Sequence, residues 1–509
     1  MDESFVLAVD LGTTNCKVLL LTTSCQVARK QLMEYPVSIL RQGWSEQDPE
    51  DWWTAVRESI RTVVKDVWPE SIRAIGLSGQ MHGLVLLDEK GRVLRPAILW
   101  NDQRCYAECQ EIYEAAGGPD GLLAITNNPM LPGYTGGKIL WVRRNEAEAY
   151  SRIAHILLPK DFVRYRLSGQ YSTDVSDASG TGLFDVRNRT WGAAIIERLG
   201  LPPSWFPQAH ESMQVTADVL PEVAFELGLA AHTPIIAGGG DAVMQTLGSG
   251  ATTPEKALIV VGTGGNVTVS LPVFTPNPKG QLQSFCHVLP EMWVSMGVTL
   301  AAGSSLKWFR DTLGGLERAL ASDLAVNPYE LLDKIASKST PGSGRVIFLP
   351  YLQGERCPHV DVNATGTYVG LQLGTRKCDL VRSVMEGVAF SLRDVLELIV
   401  RTGARPKEIH LSGGGSAGSI WRQIFSDILN RQVVTLDHSE DASAIGAGVL
   451  AGVSMGFWSS CAEAAQNIKV RTVNDPAPEN IGVYNDLFSA YQELYPALQA
   501  TYEKLAAIV

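Results

Sequence analysis

One turn occurs twice in this chain, and it constrains the fold more than any other feature. Phe5 to Val9 reads as a buried strand and Lys17 to Leu21 as a second. Asp10-Leu-Gly-Thr-Thr-Asn-Cys16 joins them as a turn of small and polar residues, so the segment is a hairpin. Ala257 to Val261, Gly262-Thr-Gly-Gly-Asn266 and Val267 to Leu271 repeat the arrangement, with Gly262-Thr263 where the first copy has Gly12-Thr13. The copies lie about half the chain apart, which predicts two related α/β domains. The length of 509 residues agrees, because a single core stops growing at roughly 250–300 residues. The boundary is expected near Asp241 to Thr253, giving domains 1–247 and 248–509. No low-complexity linker marks it, so the domains should pack closely. A two-domain chain offers a cleft, where small ligands usually bind.

Other elements follow from local signals. Asp48-Pro49-Glu50-Asp51 opens a helix, with a capping Asp, Pro at the first position and acids in the first turn; the helix is expected to run to about Val67. Ile72 to Leu77 and Leu84 to Leu87 read as strands flanking Ser-Gly-Gln-Met-His-Gly (78–83). Val483 to Ala507 reads as a helix whose apolar residues include Leu487, Tyr491, Leu494 and Leu498.

The net charge of −11 and the lack of a Lys/Arg run exclude general binding to nucleic acid or to an anionic membrane. Eight scattered cysteines, with Cys105 and Cys109 the one close pair, suggest neither a metal site nor a disulfide framework. A reducing cytoplasm is therefore expected. The opening MDESFVLAVD lacks the basic region of a secretory signal, and no apolar run approaches the ~18 residues of a membrane span.

Gly/Ser/Thr turns can present successive backbone N–H groups to an anion. Both hairpins qualify, with hydroxyls on Thr13, Thr14 and Thr263, although such turns also serve merely to join strands. Asp10, at the mouth of the first turn, could hold a water of a Mg²⁺ shell. Neither turn is a P-loop, since no GxxxxGK[ST] occurs. Ile235-Ile-Ala-Gly-Gly-Gly-Asp241 runs a strand into three glycines and an acid. Asp241 there suits a general base for a hydroxyl, or equally a cap for a helix starting near Ala242. Glu408 to Ser412 reads as a strand, Gly413-Gly-Gly-Ser-Ala-Gly418 as a glycine turn, Ser419 to Leu429 as a helix and Gln432 to Leu436 as a strand ending at Asp437. That meets the local dinucleotide fingerprint, so a dehydrogenase is a second reading, and the same unit can hold adenosine alone. Gln80-Met81-His82 and Trp100-Asn101-Asp102-Gln103-Arg104 supply hydrogen-bonding and aromatic groups for a sugar, as ordinary loops also do.

Together these segments resemble the FGGY family of carbohydrate kinases. The opening DLGTTNCKV is similar to the family's first phosphate hairpin, and Gly133-Tyr-Thr-Gly-Gly-Lys138 through Asn145 fits its first signature. Gly366-Thr-Tyr-Val-Gly370-Leu371 with Asp379 through Glu386 fits the second. GGGDAV resembles the segment of the catalytic base, and LSGGGSAGSIWRQIFSDIL the adenosine segment. SGQMHG and LWNDQR look like the family's xylulose-phosphorylating branch. Ala242-Val-Met-Gln245 departs from it, since that branch more often carries an amide residue and two alanines there.

The resemblance implies two ribonuclease-H-like domains of the actin, Hsp70 and sugar-kinase superfamily around a cleft that closes on sugar. It implies ATP and Mg²⁺, with Asp10 near the metal through water. Thr13, Thr14, Asn15, Lys17, Thr263, Gly264, Gly303, Gly414 and Gly418 would serve ATP. Gln80, Met81, His82, Trp100, Asn101, Asp102 and Asp241 would serve a ketose, D-xylulose first and ribulose or a polyol otherwise. Asp241 would be the base and Asp10 its catalytic companion. A non-catalytic ATP-binding regulator is a third reading, disfavoured because both acids are present. Dimers are common in the family, and the residues themselves leave the oligomeric state open.

Overall fold

The computed structural model describes residues 4–508. Two compact units form, and they do not follow a single cut of the chain. Unit 1 takes the chain up to Thr252 with Ser270–Val294 and Asp441–Ile468; unit 2 takes Thr253–Val269, Ser295–Glu440 and Lys469 onward.

In unit 1, β1 (Phe5–Leu11) and β2 (Asn15–Thr22) form an antiparallel hairpin with Asp10 opposite Lys17, and β3 (Val27–Glu34) continues it. Both faces of β1 and β2 are buried, which explains their unbroken apolar runs. Helix α1 (Pro49–Val63) begins at the Asp48 cap, whose carboxylate accepts from Glu50 N at 3.0 Å. It stops short of Val67 because the chain turns left-handed at Asp66, with φ of 61°. β4 (Ile72–Gly79) joins β1 in parallel; β5 (Val215–Asp218) and β6 (Pro234–Ile236) complete the order β5-β6-β4-β1-β2-β3. Helix α2 (Asp241–Gly248) follows.

The late segment Ala442–Ser454 is a helix of unit 1, and its small residues give the reason. A Cβ on Gly446 would lie 2.3 Å from Met244 O, and one on Gly248 1.8 Å from Ala442 O. This helix and α2 therefore touch backbone to backbone, which only glycine permits.

Unit 2 repeats the plan. β7 (Lys256–Val261) and β8 (Gly265–Leu271) form its hairpin, followed by β9 (Trp293–Thr299), α3 (Gly303–Thr312), α4 (Pro328–Ala336) and α5 (Lys377–Arg401). Then come β10 (Glu408–Ser412), α6 (Ser419–Leu429), β11 (Gln432–Leu436), β12 (Val470–Asn474) and α7 (Pro478–Ala506). The order β9-β8-β7-β10-β11-β12 matches that of unit 1, hairpin first and parallel partner next. Helix α7 starts earlier than expected and docks through aromatic residues. Tyr484, Phe488, Tyr491 and Tyr502 are buried, whereas Leu487, Leu494 and Leu498 are half-buried. The tyrosine hydroxyls decide this, because each has a partner: Tyr484 with Glu386 at 2.7 Å, Tyr491 with Tyr351 at 3.0 Å and Tyr502 with Thr367 at 3.0 Å.

Candidate active site

Unit 1 gathers its chemistry at the ends of β1 and β4 and the start of α2. Asp10 pairs across to Ser78 in β4, and the Ser78 hydroxyl donates to Asp10 Oδ1 at 2.8 Å. Burial raises the Asp10 carboxyl, against the pull of Ser78 and the Lys17 charge. Gly238 has φ of +76°, and Gly239 and Gly240 pair with Ser78 and Gly79. Asp241 is the first residue of α2 rather than its cap, and its Oδ1 accepts from Ala242 N at 2.7 Å. Burial, then the charge of Asp10, pushes the half-buried Asp241 carboxyl up to about 7. A carboxylate poised near neutrality suits a general base.

The loop after β4 is tied down residue by residue. Gln80 is buried; its N–H donates to Leu11 O at 2.8 Å and its Nε2 to Gln47 Oε1 at 3.0 Å. Met81 packs where a Cβ on Gly240 would stand, 2.6 Å from Met81 Cγ. His82 adopts φ of 69°, and its ring stacks on Tyr134 at 4.6 Å. The His82 carbonyl accepts from Lys138 Nζ at 2.8 Å and Thr135 Oγ1 at 3.0 Å. Burial drives the Lys138 ammonium down to about 7. The peptide before Asp241 is held as well: Gly240 N donates to Ser176 Oγ at 3.1 Å, and Ser176 Oγ donates to Asp174, itself paired with buried Lys160.

Two expectations for unit 1 change. Asp102 is fully buried and spent within the protein, accepting from Ser45 N at 2.6 Å and from Arg104. It is therefore not free to meet a sugar, whereas its neighbours Asn101 and Trp100 are exposed, the latter 44% with Nε1 donating to Thr13 Oγ1 at 2.9 Å. Lys17 is also buried, and its ammonium pairs with Asp441 at 2.9 Å instead of standing out from the turn. Of the turn itself, Thr14 is exposed, Thr13 is half-buried, and Asn15 Nδ2 donates to Thr14 Oγ1 at 3.2 Å.

Unit 2 holds its turn by main chain. Gly303 N donates to Gly262 O at 2.8 Å, and Ala302 N and Ser304 N both donate to Thr263 O at 3.0 Å. Gly303 thus serves the turn by close approach, since a Cβ there would lie 2.4 Å from Gly262 O. Thr263 is exposed, and a Cβ on Gly264 would meet Thr299 O at 2.7 Å. Thr299 in turn donates to Glu355 Oε2 at 2.5 Å, a buried carboxylate raised to about 7 by desolvation. In the glycine turn before α6, Gly414 faces open space. The space beside Gly418 is filled by Asp333 of α4, 2.7 Å from a Cβ placed there. Asp333 also accepts from Ser419 Oγ at 3.2 Å, so Gly418 packs a carboxylate against the helix start.

Gln47, Tyr35, Ser176, Lys160, Asp333 and Glu355 were not legible as site residues. Each has at least one partner outside its own short segment, and no motif spacing announces such a pairing.

Two α/β units of one plan, each with a small-residue hairpin turn, one bearing a carboxylate pair and the other an open glycine turn, define a phosphoryl-transfer architecture. Residues 5–248 match the N-terminal domain of the FGGY family of carbohydrate kinases, and residues 257–455 match its C-terminal domain. The xylulose kinase of Escherichia coli strain K12 is 35% identical over 492 residues, 97% of this chain and 99% of its own. Two solved structures from Lactobacillus acidophilus superpose as well as each other. Its ligand-bound xylulose kinase gives 27% identity and a TM-score of 0.91, covering 99% of this chain and 100% of that one. Its gluconate kinase gives 28% and 0.91, with the same coverage. The chain belongs to the FGGY family of carbohydrate kinases: it is an ATP-dependent sugar kinase of the actin- and Hsp70-like fold. The dehydrogenase reading drawn from Gly413 to Gly418 is thereby set aside. Among the described residues no helix is long and apolar enough to cross a membrane, and all eight cysteines are unpaired.

Proposed function

We propose that this kinase phosphorylates D-xylulose at its C5 hydroxyl, with Asp241 as general base. The observation that carries the reading is the Asp241 carboxyl, pushed up to about 7 at the start of α2 and flanked through Gly240 by Met81. The SGQMHG segment and the 35% identity to a full-length xylulose kinase support the choice of sugar.

In the reaction the C5 oxygen bonds to the γ-phosphorus while the bond from that phosphorus to the β–γ bridging oxygen breaks. The electron pair leaves on ADP, and the C5–OH proton passes to Asp241. Phosphoryl transfer asks mainly for in-line positioning and charge stabilisation. Gly414, Thr263, Gly264, Thr13, Thr14 and Asn15 are assigned to the nucleotide, and Gln80, Met81, His82, Trp100 and Asn101 to the sugar. Asp10 and Asp241 are hard oxygen donors whose negative charges lie close enough for one to raise the other's carboxyl, a donor set that fits a divalent cation. Mg²⁺ would neutralise phosphate charge, with Asp10 holding it through water. The free thiols support a reducing compartment, and we assign the enzyme to the cytoplasm.

One observation favours a second acceptor. Ala242 leaves Asp241 without a neighbouring amide, and the gluconate kinase superposes as well as the xylulose kinase. The test is ADP release from MgATP with D-xylulose, L-xylulose, D-ribulose, L-ribulose, glycerol and gluconate, beside Asp241→Ala. Release driven by D-xylulose and lost in the variant is expected. A response to gluconate alone would overturn the sugar and keep the base; silence with ATP still bound would favour a regulator.

A further inference from the structure

Gln47 belongs to no motif, yet it touches three segments of the unit 1 site. It is buried, and its Nε2 donates to Thr13 O at 2.7 Å and to Pro36 O at 3.2 Å. Its Oε1 accepts from Trp52 Nε1 at 3.0 Å and Gln80 Nε2 at 3.0 Å. The amide orientation is dictated by chemistry, because an indole N–H only donates and carbonyls only accept. The strand Glu46–Gln47 pairs with Ala97–Ile98, placing Gln47 opposite Ala97, three residues before Trp100. Trp100 in turn donates to the Thr13 hydroxyl. The side chain thus ties the backbone of the phosphate turn to the Gln80 side chain, with all four of its hydrogen-bonding positions filled, and the main chain of the same residue pairs with the strand leading to Trp100.

We propose that Gln47 is a positioning residue that holds the phosphate turn in register with the sugar-side segments, and so carries part of the coupling between acceptor and nucleotide. The inference rests on the proposed function for its coupling half. Bound sugar restrains exposed Trp100 and bears on Gln80, which is already fixed; Gln47 and the Trp100–Thr13 bond pass that restraint to Thr13. A turn already ordered costs less to bind phosphate, and by linkage the nucleotide favours sugar by the same factor.

Gln47→Glu separates the two halves of the bridge. It keeps the acceptor toward Trp52 and Gln80 and sets a carboxylate oxygen against the two carbonyls. Gln47→Met removes both halves at similar volume. The full chain would be titrated with the β,γ-methylene analogue of ATP, with and without D-xylulose. In the wild type the sugar should tighten nucleotide binding about 5-fold or more, the usual lower range of coupling. In Gln47→Glu that factor should fall to within about twofold of one. Coupling retained in both Gln47 variants overturns the proposal. Amide exchange at residues 12–15 needs no sugar: it should accelerate in Gln47→Glu at an intact circular dichroism spectrum. If no ketose binds the wild type, the function reading fails, and unchanged exchange would separately sink the role of Gln47.

Discussion

The two hairpin turns are alike in sequence and held by different means. In unit 1 the turn from Gly12 to Asn15 is fixed by side chains: the Tyr35 hydroxyl shares its one proton between Gly12 O and Asn15 O, Gln47 donates to Thr13 O, and Trp100 to Thr13 Oγ1. In unit 2 the Gly262–Gly264 turn is fixed by the backbone of Ala302, Gly303 and Ser304. The residue two places before the first glycine is Asp10 in one copy and Val260 in the other. The five-on position is Lys17 in one and Val267 in the other. One copy carries charge and a side-chain frame; the other is held by main chain and backed by valine. Under the proposed function the first is the reacting half and the second the holding half.

The sharpest test of that division is Asp241→Asn. It should lower kcat about 10²–10⁴-fold, the usual worth of a general base. It should also raise the melting temperature at pH 8, because a carboxyl raised to about 7 destabilises the fold once ionised, and this loss sets in as pH climbs from the unfolded value toward 7. An unchanged kcat would remove Asp241 from the chemistry. Next comes Asp10→Val, which gives the first turn the residue type of the second; a loss of about 10²-fold is expected for a charge-positioning group. If activity survives, the asymmetry between the turns is ornamental. The pH profile should show kcat/KM rising through about 7 and falling about tenfold per unit below it. A flat profile from pH 5 to 8 would contradict a base with that carboxyl.

Gly303→Ala probes the holding half. Its Cβ would press on Gly262 O, costing about 1–3 kcal/mol of overpacking and raising KM for ATP about tenfold, with KM for sugar little moved. The smallest effect belongs to Trp100→Phe, which removes one hydrogen bond to Thr13 and should cost about 0.5–1.5 kcal/mol in kcat/KM. If Gly303→Ala moves sugar affinity instead of ATP affinity, the proposed split of labour is reversed.

Much of this was legible beforehand. The hairpins, the Asp48 cap and the strand–turn–helix–strand from Glu408 to Leu436 depend on alternation, capping and glycine chemistry that act within a few residues. The Asp10 and Asp241 positions followed from strand ends and glycine runs for the same reason. Helix ends were less legible: Val67 lies past the observed end because a left-handed Asp66 intervenes, and the buried face of α7 is set by tyrosine partners far along the chain.

What the sequence determined by itself is therefore local: two copies of one hairpin, their polar turns and the two acids, each written within a short window. Tertiary structure alone decided that Ala442–Ser454 belongs to unit 1, that Lys17 and Asp102 are spent on Asp441 and Arg104, and that Gln47 ties three segments together. The physical reason is that backbone preference and patterning are properties of neighbours in the chain. Whether a charge is free or paired, and whether a helix can touch another, depends on which atoms arrive from elsewhere to satisfy it.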